Sequence, residues 1–213
     1  MKRQKLRIGL FGFGVVGQGL YDVLKSATGL DAQIIKICVR SHKERSLPEE
    51  LFCYEADDIL NNDEVNTVVE LIDDAEAAYH IVKSALQRGK NVVSANKKMI
   101  AENIAELIEL QKKHNVSLLY EASACGSIPV IRNLEEYYDN DLLLEVKGIL
   151  NGSSNYILSR VFDHAESYDS ALAQAQALGF AESDPSFDIE GYDSLFKLVI
   201  ITVHALGTYV APE

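Results

Sequence analysis

Apolar and polar positions alternate along the chain in two rhythms. The runs "LRIGLFG" (6–12), "QIIKICV" (33–39), "NTVVELI" (66–72), "KNVVSA" (90–95) and "VSLLYEA" (116–122) are rich in Val, Ile and Leu. Near-continuous apolar runs of this length predict strands buried on both faces. Between them, 15–27, 75–88 and 100–114 predict helices. In the last of these, Ile100, Ile104, Leu107, Ile108 and Leu110 recur close to every 3.6 residues, and basic residues close the final turn. Strand and helix in repeated alternation predict a parallel sheet with right-handed crossovers. After Pro129 the rhythm changes. "LLLEVKGILNG" (142–152) predicts one more strand, and helical patterns follow near 153–163, 168–178 and 191–207. A single strand with helices cannot make a sheet alone. The expected fold class is therefore α/β: a Rossmann-type doubly wound parallel sheet over residues 1–128, then an incomplete α+β catalytic or dimerisation domain over 129–213.

The first strand runs into "GFGVVG", which places Gly12, Gly14 and Gly17 as G-x-G-x-x-G between a strand and a helix at the head of a βαβ array. That context is the one the dinucleotide-binding motif requires. Gly12 permits the tight turn, Gly14 lets the backbone approach a pyrophosphate, and Gly17 lets helix pack on strand. The free N–H groups of the helix start then face the phosphates. Phe13, Val15 and Val16 complete the candidate cradle. An ordinary tight turn is the plain alternative. At the tip of the second strand, an acidic residue would hold the ribose of NAD, whereas an Arg accommodates the extra phosphate of NADP. "ICVRSHKE" offers Arg40, Ser41 and Lys43 before its first acid, Glu44. NADP is therefore favoured over NAD, although Arg40 reads equally as a solvated loop cation.

Charge narrows the partners. The 213 residues carry a net charge of −12, which argues against nucleic acid, whose phosphates need clustered Lys and Arg. Lys2, Arg3, Lys5 and Arg7 read as a solvated terminus. No apolar run approaches the ~20 residues of a membrane span, and no leader pattern precedes the first strand. Three cysteines, Cys38, Cys53 and Cys125, without a CxxC pair, read as reduced thiols in a cytoplasm. Cys125 reads as a packing residue. Scattered histidines give no zinc pattern. The stretch 178–198 draws attention. It crowds Glu182, Asp184, Asp188, Glu190 and Asp193 around one cation, Lys197, although neighbouring acids repel. Asp193 and Lys197 are spaced i, i+4 on one helix face, the spacing of an ordinary surface ion pair.

Taken together, "GLFGFGVVG", "SANKK" (94–98), "YEASACGSIPVI" (120–131), "GILNGSSNYIL" (148–158) and "GFAESDPSFDIEGYDSLFKL" (179–198) resemble homoserine dehydrogenase over nearly the whole chain. The resemblance implies reduction of aspartate 4-semialdehyde to homoserine with NADPH or NADH, on the branch leading to threonine, methionine and isoleucine. It implies that Lys197 is the proton donor, Asp193 an active-site aspartate that also meets substrate, and Glu182 the ligand of the substrate ammonium. It places Lys97 at both nicotinamide and substrate, and Ser94 at the cofactor. It further implies a monovalent cation, usually sodium, held by Glu121, Ala124, Gly126 and Ile128 through backbone carbonyls.

The remaining acids read as structural. Asp184 before Pro185 should fix its loop, and Asp188 and Glu190 should cap the helix starting near Gly191. Ser153 or Ser154 should cap the helix of "NGSSN", while the resemblance implies equally that the backbone and hydroxyls of this segment bind the substrate carboxylate. Family members continue well beyond residue 213, so the second domain is expected to be incomplete. A homodimer or larger homo-oligomer is expected. Two other readings stay open: a catalytically inactive nucleotide-binding fragment, and another semialdehyde reductase on the same scaffold.

Overall fold

A computed structural model describes residues 5–140 and 142–212. Lys2 and Arg3, half of the basic terminal run, lie outside the described residues. The chain divides between Ser123 and Ala124 into two compact units, ahead of the boundary expected at 128.

The first unit holds six parallel strands: β1 (Leu6–Phe11), β2 (Ala32–Cys38), β3 (Phe52–Cys53), β4 (Thr67–Glu70), β5 (Asn91–Ser94) and β6 (Leu118–Leu119). Their spatial order is β3-β2-β1-β4-β5-β6, the doubly wound order in which strand succession reverses beside β1. The crossovers carry helices α1 (Val15–Ser26), α2 (Asp57–Leu60), α3 (Ala75–Gln87) and α4 (Lys97–His114). All four residues of β4 are buried, as expected for a strand covered on both faces. Leu10, Ile37, Val68 and Val92 are fully buried on successive strands. Helix α4 starts before the apolar periodicity does, because the Asn96 side chain accepts from the Met99 N–H and caps it. The run "VSLLYEA" is less strand than expected: only Leu118–Leu119 pair with β5. Glu121–Cys125 turns into the short helix α5 instead.

The glycine turn has the geometry its sequence requires. Gly12 adopts φ +93°, and a Cβ there would lie 2.6 Å from the Leu71 carbonyl oxygen. At Gly17 a Cβ would meet the Gly12 carbonyl oxygen at 2.5 Å, which is how closely α1 seats against the turn. At Gly14 a Cβ would meet nothing within 4 Å.

In the second unit the described residues form helices: α6 (Val130–Tyr137), α7 (Gly152–His164), α8 (Tyr168–Ala177), α9 (Ser186–Ile189) and α10 (Tyr192–Leu206). Ile157 of α7 packs on Ala171 and Ala175 of α8 and on Ala181. Helix α10 buries Phe196, Val199, Ile200 and Ile201. The strand expected over 142–152 is not formed: residues 143–151 carry no regular structure, and among the described residues no strand pairs with the segment. An unpaired strand leaves its backbone polar groups to water, so apolar content alone does not create one. Leu142 and Leu144 are accordingly 85% and 87% exposed.

The contrast between glycines is measurable. Gly17→Ala should destabilise the protein by about 1–3 kcal/mol, because backbone must move. Gly14→Ala should cost about 1 kcal/mol or less. Urea unfolding of both variants checks this; equal losses would contradict the packing described.

Candidate functional site

In the first unit a cleft of about 1080 Å³ opens beside the glycine turn. Gly12, Phe13, Gly14, Val15, Val16 and Gly17 all line it, as does Arg40. The carboxyl ends of β1, β2 and β4 border it, where ligands of open α/β sheets bind. Val15 and Val16 are largely exposed at the helix start. The turn is anchored by the Gly12 N–H, which donates to the Cys38 carbonyl at 3.0 Å. Arg40 is exposed, and its guanidinium meets the Asp74 carboxylate at 3.2 Å. Asp74 caps α3 by accepting from Ala77 N. That backbone N–H, and then the Arg40 charge, hold the Asp74 carboxyl below its ordinary range. An incoming phosphate would compete with Asp74 for Arg40.

Ser94 and Lys97 lie at the end of β5 and the start of α4, and neither lines this cleft. Ser94 is buried and donates to the Glu70 carboxyl at 2.5 Å. The other Glu70 oxygen accepts from Ile72 N at 2.7 Å. Glu70 is fully buried, and burial raises its pKa against the opposing pull of those two hydrogen bonds. Sequence reasoning passed over Glu70, because an acid at the end of an apolar strand looks like a solvated tip.

In the second unit the clustered acids are resolved by one amide. Asn151 Nδ2 donates to Asp188 Oδ1 at 2.8 Å and to Asp193 Oδ2 at 2.9 Å. Its Oδ1 accepts from Ser154 N at 2.7 Å, capping α7. Both amide protons and the oxygen are thereby used. Lys197 Nζ donates to the same Asp193 oxygen at 2.6 Å and to the Leu150 carbonyl at 2.7 Å. Asp193 is buried and the Lys197 side chain is 17% exposed. Ser153 Oγ lies 2.6 Å from both Asp188 Oδ2 and the Phe180 carbonyl. Its single proton serves one of them at a time.

These contacts correct two expectations. Asn151, not Ser153 or Ser154, caps α7. Asp188 faces Asn151 and Ser153, and the side chains of Asp188 and Glu190 do not cap α10, whose start at Gly191 has no side-chain cap. The Asp193–Lys197 pair is buried, unlike the solvated surface pair that is the plain reading of its spacing. Asp184 does fix its own loop, accepting from Ser186 N at 3.2 Å and Ser186 Oγ at 2.5 Å. Glu182 is exposed in the turn after α8, with its backbone carbonyl accepting from Gln176 Nε2 at 3.1 Å. Asn immediately before Gly-Ser-Ser was a legible cap signal; its reach to positions 188 and 193 was not.

The proposed cation residues lie close together in sequence. Glu121 and Ala124 belong to α5, Gly126 follows with φ +61°, and the exposed Ile128 carbonyl accepts from Val130 N at 2.8 Å. Among the described residues no cluster of His, Cys, Asp and Glu side chains could hold a metal ion. No helix among them is long and apolar enough to cross a membrane.

Comparison with known proteins adds the identification. The family model described as "Homoserine dehydrogenase, NAD binding domain" matches residues 12–121, and the one described as "Homoserine dehydrogenase" matches residues 129–213. The chain belongs to the homoserine dehydrogenase family. That is a family of NAD(P)-dependent oxidoreductases. The chain is 37% identical to the homoserine dehydrogenase of Lactococcus lactis, over 98% of its own length and 51% of that protein's. It is similar to the crystal structure of a homoserine dehydrogenase from Thiobacillus denitrificans, with a TM-score of 0.84 and 35% identity, over 96% of this chain and 49% of that one. It is also similar to a hyperthermophilic archaeal homoserine dehydrogenase solved in complex with NADPH, with a TM-score of 0.81 and 27% identity, over 97% of this chain and 71% of that one. The chain spans about half the length of the curated relatives it matches.

Two outcomes follow from this geometry. Asn151→Asp removes both amide donors and sets a third carboxylate against Asp188 and Asp193; it should cost about 3 kcal/mol or more in urea unfolding. A loss within error of wild type would contradict the network. Glu70 keeps its proton longer in the folded than in the unfolded chain, so its contribution is largest below the ordinary value of 4.5. Stability should decline as pH rises from there to the raised value, by at most about 1.4 kcal/mol per pH unit. Glu70→Gln should abolish that decline, and an unchanged pH profile would contradict it.

Proposed function

We propose that the chain carries the dinucleotide cradle and the proton donor of a homoserine dehydrogenase, reducing aspartate 4-semialdehyde to homoserine with NADPH in preference to NADH. The observation that carries the reading is the Lys197 ammonium, held by Asp193 and the Leu150 carbonyl on the helix where the resemblance to the family implies the proton donor. An ammonium has three donors, and these two bonds leave one for a substrate oxygen.

The glycine turn fits a dinucleotide: Gly14 leaves open space where a pyrophosphate would lie, and the helix start offers its N–H groups. Arg40, with Ser41 and Lys43 on the same cleft, supports the preference for a 2′-phosphate, as does the NADPH in the archaeal relative's structure. When bound, the reduced nicotinamide supplies a hydride to the aldehyde carbon. Lys197 stabilises the oxyanion that develops on the aldehyde oxygen and gives it a proton. Asp193 fixes the direction of that ammonium, and Asn151 fixes Asp193. Glu182 binds the substrate ammonium, Lys97 binds substrate and lies at the cofactor, and Ser94 supports the cofactor through the β5 end. Backbone carbonyls at Glu121, Ala124, Gly126 and Ile128 are the hard oxygen donors that sodium accepts. The exposed leucines at 142 and 144 support self-association as a homodimer or larger assembly.

The same exposed segment favours a second reading, in which this length of chain binds dinucleotide without turnover. Spectrophotometry of NADPH and NADH oxidation with aspartate 4-semialdehyde separates the two. Turnover should be measurable, faster with NADPH, and Lys197→Ala should lower kcat by about 10²–10⁴-fold. NADPH binding without oxidation, when a longer relative turns over under the same conditions, would establish the second reading. Wild-type kcat in Lys197→Ala would overturn the assigned proton donor.

A further inference from the structure

Two of the three cysteines meet at the ends of β2 and β3, one of them on the wall of the cleft beside the glycine turn. Cys38 is the last residue of β2 and Cys53 the last of β3, and they are direct register partners in the parallel pairing. Adjacent strands run about 4.8 Å apart, inside the Cα separations that a disulfide spans. The proximity of the two thiols holds Cys38 below the ordinary thiol range and, with burial, pushes Cys53 above it. Cys53 is buried, while Cys38 is half-buried and lines the cleft beside the glycine turn. The pair is also wired into the cradle by backbone. The Cys38 carbonyl accepts the Gly12 N–H, and the Cys53 carbonyl accepts the Val39 N–H, each at 3.0 Å.

We propose that Cys38 and Cys53 form a peroxide-sensitive dithiol whose closure into a disulfide weakens dinucleotide binding in the adjoining cleft. The coupling, though not the disulfide itself, rests on the reading of that cleft as a dinucleotide site. The chemistry needs a peroxide as oxidant. The Cys38 thiolate attacks one peroxide oxygen; an S–O bond forms, the O–O bond breaks, and the departing hydroxide takes a proton to become water. The Cys53 sulfur then attacks the sulfenic sulfur; the S–S bond forms, the S–O bond breaks, and a second water leaves with the Cys53 proton. Two thiols are oxidised and one peroxide is reduced to two waters. Closing the bridge requires the side chains at the ends of β2 and β3 to turn towards each other, which shifts the Cys38 carbonyl that anchors Gly12. By linkage, bound dinucleotide must disfavour the disulfide by the same factor.

The test treats the full chain with hydrogen peroxide, with and without saturating NADPH, then maps peptides by mass spectrometry and titrates NADPH by fluorescence. The expected result is a Cys38–Cys53 disulfide, formed less readily when NADPH is bound. NADPH affinity should fall about fivefold or more and recover on thiol reduction. Cys38→Ser and Cys53→Ser should each abolish the loss of affinity. A peptide map with both thiols free, or with Cys38 carried to sulfinic acid, overturns the dithiol. A mapped disulfide with unchanged NADPH affinity overturns the coupling. A reduced chain that binds no NADPH overturns the cofactor reading instead, and the peptide map then judges the disulfide on its own.

Discussion

Two carboxylates and an ammonium can share a dry site only if something neutral separates the acids and fixes the cation. The Asn151 amide does both in the second unit. Its two protons go to Asp188 and Asp193, and its oxygen caps the helix on which the next residues lie. No other side chain of similar size offers two donors and an acceptor from one rigid plane. An aspartate would add repulsion, and a serine would serve one acid only. The Lys197 ammonium then approaches the same Asp193 oxygen and offsets the charge of that carboxylate. A buried pair of this kind contributes little net stability, and its value lies in where it holds the charged atom. Here that atom is the Lys197 ammonium, the proton donor proposed above.

The first unit meets a different constraint, steric rather than electrostatic. Helix α1 approaches the glycine turn so closely that any side chain at position 17 would strike the Gly12 carbonyl. This brings the N–H groups of the helix start to the carboxyl edge of the sheet, next to the crossover where strand order reverses. An anion-binding helix end, an open position at Gly14 and a cleft beside it thus arise from one requirement, close packing of helix on strand. The turn is in turn pinned from β2, the Gly12 N–H donating to the Cys38 carbonyl.

The sequence and the structure agree where local physics dominates. The strands β1, β2, β4 and β5, the helices α1, α3, α4, α7, α8 and α10, and the roles of Gly12 and Gly17 were legible from apolar period and glycine spacing. The two-residue strand β3 is too short to leave a periodic signal, while β6 is the short part of the apolar run 116–122 that pairs. The apolar run at 142–152 shows the converse: strand-like composition without a pairing partner gives no strand. Among the site residues, the Asp193–Lys197 spacing was visible but its burial was not, since i, i+4 pairs are ordinarily solvated. The structural use of Asp188, Asn151 and Glu70 was hidden because their partners lie far along the chain or inside the sheet. Family membership is shown independently by both halves of the chain matching the same family.

The central claim is that Lys197, oriented by Asp193, meets the oxygen that is reduced. A crystal structure of this chain with NADP and homoserine tests it most directly. The account requires the homoserine hydroxyl within hydrogen-bonding distance of Lys197 Nζ, with the Asp193 and Leu150 contacts retained. Homoserine bound with its hydroxyl away from Lys197, or with the Asn151–Asp193 bond broken, would contradict it.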